Sequence, residues 1–98
     1  MNQPQNTSHL EELYLTRDEK VKQLKNAIET LHIAENISDN GYLITSSELA
    51  DLIDINASAV TSRGDEWSWR NWIVSRVKRE GNQILWQLEK VEKVNPNN

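Results

Sequence analysis

Five cations stand close together in the later part of this chain: Arg63, Arg70, Arg76, Lys78 and Arg79. Asp65 and Glu66 lie among them, and Glu80 follows at once. Guanidinium and ammonium groups at this density neutralise phosphates, and an arginine can also pair bidentately with a base edge. Gly81-Asn82, just beyond, allows backbone to approach a polyanion closely. The chain as a whole is acidic, with a net charge of −4. Its distribution is uneven. Residues 1–55 hold four Lys/Arg against ten Asp/Glu, whereas residues 56–98 hold seven against five. A basic face can therefore form in the second half, although the acidic remainder weakens non-specific attraction to nucleic acid.

Other chemistries find less support. There is no cysteine, which removes disulfides and thiolate metal sites. His9 and His32 are far apart, and neither has a cluster of further ligands beside it, so no metal site and no cofactor is expected. Asp51, Asp54, Asp65 and Glu66 could supply a carboxylate pair. No nucleophile, base and glycine-rich loop come together with them, so they read as solvated acids and the chain as a non-enzyme with no evident small-molecule substrate. Trp67, Trp69, Trp72 and Trp86 could stack on single-stranded bases. In a chain without Phe, Trp72 and Trp86 read more naturally as core fillers, with Trp67 and Trp69 more open.

The elements that must position these groups are legible in part. Thr16-Arg17-Asp18-Glu19 has capping-box form and predicts a helix start near Thr16. Val21, Leu24, Ile28 and Leu31 follow at helical spacing on one face. Leu10, Leu13 and Tyr14 could form a preceding turn on the same face. Asn36, Asp39, Asn40 and Gly41 predict a break, and Tyr42-Leu43-Ile44 a brief strand. Thr45-Ser46-Ser47-Glu48 is a second capping box ahead of Leu49, Ala50, Leu52 and Ile53. Later the period changes to two. Residues 72–78 and 84–89 predict a hairpin around the turn at 79–83, with Ile84, Trp86 and Leu88 on its buried side.

Residues 46–63, SSELADLIDINASAVTSR, have the offsets of two short helices crossing at a tight turn. Ala50 is the small residue at the crossing, Leu49, Ile53 and Ile55 flank it, and Val60 returns to the seam ten residues after the alanine. On these residues the stretch resembles the helix-turn-helix family. The order of helix, brief strand, paired helices and aromatic-rich hairpin extends the resemblance to the winged, small phage-type or MerR-like subclass. Asp54 stands where that family usually has glycine, and Arg63 where it has an apolar residue, which implies a short second helix closed by Gly64.

The resemblance implies a mainly α fold with a small β-hairpin, a winged helix-turn-helix of three-helix core plus wing over residues 9–93, between disordered tails at 1–8 and 94–98. It implies sequence-specific binding of double-stranded DNA by a small transcriptional regulator, a repressor. A recognition helix at 56–63 would present Asn56, Ala57, Ser58, Thr61, Ser62 and Arg63 to the major groove, its first amides free to hold a phosphate. A wing at 76–83 would bring Arg76, Lys78, Arg79 and Asn82 to the backbone or minor groove, with Arg70 reaching a phosphate from the preceding loop. The alternatives are a protein-interaction module using the same scaffold as an adaptor, and a phage or recombination accessory factor. Val21, Leu24, Ile28 and Leu31 also have heptad spacing, which admits a homodimer. No apolar stretch approaches bilayer length, so the expected setting is the cytoplasm, in association with the nucleoid, without membrane contact.

Overall fold

The computed structural model describes residues 15–92. The expected tails at 1–8 and 94–98, and the turn at Leu10, Leu13 and Tyr14, lie outside the described residues. Helix α1 (Arg17–Asn40) begins at the first capping box: the Thr16 hydroxyl accepts from the Glu19 amide, and the Glu19 carboxylate accepts from the Thr16 amide at 2.9 Å. The bond from the Thr16 backbone amide, and then one donated by the Thr16 hydroxyl to the same carboxylate at 3.0 Å, hold the Glu19 carboxyl below its usual range. The helix runs through the predicted break. Asn36 and Asn40 are absorbed by bonding each other one turn apart, at 2.7 Å. It stops at Gly41, whose left-handed backbone (φ 66°) lets the Tyr42 amide return to the Ile37 carbonyl. That bond also explains why Tyr42 and Leu43 are not strand. Strand β1 (Ile44–Thr45) is only two residues long, later than expected.

Helix α2 (Ser46–Ile53) starts at the second capping box, Thr45 with Glu48. It ends where Asp54 turns left-handed (φ 62°, ψ 51°), so that the Ile55 amide closes back on the Ala50 carbonyl. Helix α3 (Ala57–Ser62) follows after three residues. Strands β2 (Glu66–Trp69), β3 (Trp72–Glu80) and β4 (Gln83–Lys90) then form an antiparallel sheet with β1, in the order β1-β4-β3-β2.

The expectation of a mainly α winged helix-turn-helix, with a three-helix core and a small hairpin, is corrected by this arrangement. Among the described residues there is one long helix, two short ones and a four-stranded sheet. The reason lies in where the apolar surface falls. Among the described residues, four of the eight buried hydrophobics are in the sheet (Trp72, Val74, Trp86, Leu88), and α1 contributes only Ala34. The core is thus sheet against helix, with Leu49, Ala50 and Val60 from the short pair. Side chains of this size contribute about 1.5–3 kcal/mol each when fully buried, so the sheet is a principal stabiliser rather than an appendage.

The register places all four tryptophans on one face of the sheet. Trp67 pairs with Val74, Trp69 with Trp72, and Trp86 with Ile44 and Arg76, and paired residues share a face. Two of these rings are tied to the helices over them. Trp72 Nε1 donates to Ser38 Oγ at 2.9 Å, and Trp86 Nε1 donates to Ser46 Oγ at 2.8 Å. Lys90 at the end of β4 grips Glu35 of α1 at 2.7 Å. Among the described residues, no helix is long and apolar enough to cross a membrane.

Candidate nucleic-acid interface

The crossing of α2 and α3 sets the geometry of the site. Leu49, Ala50 and Val60 are buried, and Ile53 and Ile55 pack against them. Val60 is the one buried residue of α3. Asn56, Ala57, Ser58, Thr61, Ser62 and Arg63 are all exposed. Asn56 occupies the N-cap position without a side-chain capping bond, which leaves its amide free. The Thr61 and Ser62 hydroxyls donate back to the Ser58 and Ala59 carbonyls at 3.0 and 3.1 Å, so their lone pairs face outward as acceptors. Arg63 ends the helix, and Gly64 (φ 97°) turns the chain into β2.

Arg63 is not a free rod. Its guanidinium lies 4.9 Å above the centre of the Trp67 ring, and Trp67 in turn lies 6.2 Å from Trp86 at a 60° tilt. Stacking occupies the guanidinium face and leaves its in-plane N–H donors available. The Trp67 indole N–H is buried with no hydrogen-bond partner. Sequence reasoning missed this shelf. Its signal is the Arg63-Gly64-Asp65-Glu66-Trp67 spacing, which a turn at Gly64 folds back on itself.

Arg76 and Arg79 extend the same face onto the hairpin. Arg76 pairs with Trp86 and Arg79 with Ile84, so both point to the helix side of the sheet. They share it because of a bulge. The register shifts between Arg76 and Lys78, leaving Val77 as an extra residue, and the alternation slips by one. Lys78 pairs with Leu85 and lies on the opposite face, where it meets Glu80 at 3.2 Å. Arg76 is 3.7 Å from Asp65, an exposed pair that holds it loosely. Asn82 sits in the two-residue turn between the paired Glu80 and Gln83, after Gly81 at φ 61°.

Arg70 stands apart. It occupies the β2–β3 turn with a left-handed backbone (φ 50°), its guanidinium 5.7 Å over Trp69. Strand β3 has nine residues, so Arg70 is about 25 Å from the hairpin tip. Of the eleven residues singled out in the sequence, the structure sets Asn56, Ala57, Ser58, Thr61, Ser62 and Arg63 exposed on α3 and at its ends, and turns Arg76 and Arg79 to the helix side of the sheet, to which Arg63 is joined through Trp67. Asn82 lies at the tip of that surface, Lys78 behind it and Arg70 at the far end. The tryptophans offer little to single-stranded bases. Trp72 and Trp86 are buried, and Trp69 stacks on Trp72 at 5.5 Å.

Comparison with known proteins finds no similar family model, curated protein or solved structure.

Proposed function

We propose that this protein binds double-stranded DNA sequence-specifically and acts as a small transcriptional regulator, a repressor. Helix α3, with Asn56 and Arg63 at its ends, enters the major groove, and the hairpin at 76–83 lies along the adjacent backbone or minor groove. The reading implies a binding module without a catalytic step, resident in the cytoplasm with the nucleoid.

One observation carries it. The inner side of α3 is sealed by Val60, while its outer side is uncharged, rich in donors and acceptors, and ends at Arg63, with Arg76 and Arg79 on the helix-facing side of the sheet. A groove presents donors, acceptors and thymine methyls between two rows of phosphate. The helix offers amide, hydroxyls and the Ala57 methyl to the first, and the arginines suit the second.

The test is selection of bound sequences from a random duplex pool, followed by affinity against salt concentration. Arg63→Ala should cost roughly 1–3 kcal/mol and relax the preference at one base position. Arg79→Gln should weaken binding to every sequence alike and flatten the logarithmic salt dependence by about one unit of slope. No salt-dependent duplex affinity, or two variants that bind as the parent does, would refute the reading.

A further inference from the structure

Helix α1 is longer than its share of the core requires. Its contacts with the sheet come from the later part, where Leu31 and Ile37 pack on the core, Ala34 is buried and Ser38 accepts from Trp72. Earlier on the helix, Leu24 and Ile28 are 61% and 51% exposed. They belong to one stripe with Val21 and Leu31, in which 21 and 28 are a positions of a heptad and 24 and 31 are d positions.

We infer that this stripe is the seam of an antiparallel dimer, α1 against α1 of a second copy. Direction follows from charge. In an antiparallel pair a positions meet d positions. Centring the pair on Asn26 stacks Val21 on Leu31 of the second copy and Leu24 on its Ile28. Continuing the heptad one step outward at each end, Arg17 is a d position and Glu35 an a position, so the apolar layers end in a layer of opposite charge. A parallel pair would set Arg17 against Arg17, Glu35 against Glu35, and Lys20 against Lys25 across the seam.

The helix as a whole is divided in the same sense. Residues 17–25 hold four cations and two acids, whereas residues 26–40 hold three acids and no Lys or Arg. Antiparallel packing lays each half on its opposite, and parallel packing lays like on like. The Glu35 carboxylate has an oxygen to spare, since Lys90 bonds only one of them. This inference rests on α1 alone and stands or falls independently of DNA binding.

The experiment uses the full chain, which lacks cysteine. In sedimentation equilibrium the parent should self-associate, and Leu24→Glu should raise the dissociation constant by at least about 100-fold, two leucines being lost per dimer. Circular dichroism of Leu24→Glu should match the parent, because Leu24 is outside the core. For direction, Leu24→Cys and Ile28→Cys are oxidised singly and mixed. The mixed disulfide between the two variants should form in preference to either symmetric one. Symmetric disulfides in excess would overturn the antiparallel pairing. A parent that stays monomeric at every concentration would overturn the dimer, and would instead indicate that the stripe is covered by other parts of its own chain or by a different protein.

Discussion

Among the described residues, Asp54 and Arg70 hold the two left-handed backbones that are not glycine, and each is a test of how this chain accommodates strain. An aspartate enters that region at modest cost, a β-branched residue at about 1–2 kcal/mol. Asp54→Val should therefore lower the unfolding free energy measured in urea by an amount in that range, and Asp54→Gly should hold or raise it. At Glu35 the question is pH. The Lys90 ammonium, first by hydrogen bond and then by charge, holds the Glu35 carboxyl below the usual carboxylate range, and Glu35 raises the Lys90 ammonium in return. A depressed carboxyl stabilises the fold above its unfolded pKa, and that contribution is lost as pH falls through the folded value. The raised ammonium contributes below its own unfolded pKa and loses that contribution as pH rises through the folded value. Glu35→Gln should thus be less stable than the parent near neutrality, and the gap should close in acid. Denaturation midpoints at the two pH values measure it. Both partners are about half exposed, so the difference is small.

Among the elements, the β3 bulge decides which cation serves the hairpin. Inserting one residue between Leu85 and Trp86, to pair with Val77, would restore strict alternation beyond Arg76, turning Lys78 to the helix side and Arg79 away from it. In that insertion variant Lys78→Gln should weaken duplex binding and Arg79→Gln should not, the reverse of the expectation for the parent. Affinities of the four proteins decide the matter. Nothing in the residue types around Val77 announces a bulge, which is why the sequence led equally to Lys78 and Arg79. The helix starts were legible because Thr16 and Thr45 each have a glutamate three residues on, a local signal that needs no tertiary partner. The crossing of α2 and α3 was legible for a similar reason, since Ala50, Ile53, Ile55 and Val60 fix it by spacing. Strand β2 was not read as sheet. A two-residue hairpin turn normally declares itself by Gly or Asn in the left-handed position, and here Arg70 occupies it, stabilised by lying on Trp69. Without β2 the tryptophan-bearing face looked like a hairpin beside a helical core, and the fold class went wrong with it.

At the scale of the whole molecule, a net charge of −4 sets a limit on how DNA can be bound. In the proposed complex Arg76 and Arg79 serve the phosphates and Arg63 a base, so the logarithmic salt slope per chain should be shallow, about −2. A slope several units steeper would mean that a different surface is used. Asp65→Asn should tighten binding by releasing Arg76, without changing the preferred sequence. The clustering of all four indoles on one side of a single sheet has an optical consequence. Trp69 and Trp72, nearly parallel and in contact at the end remote from Arg76 and Arg79, form a coupled chromophore that should give an exciton couplet in the ultraviolet. Trp67, under Arg63, should report by emission on whatever docks there. A titration followed by both signals would separate events at the two ends of the molecule without any added dye.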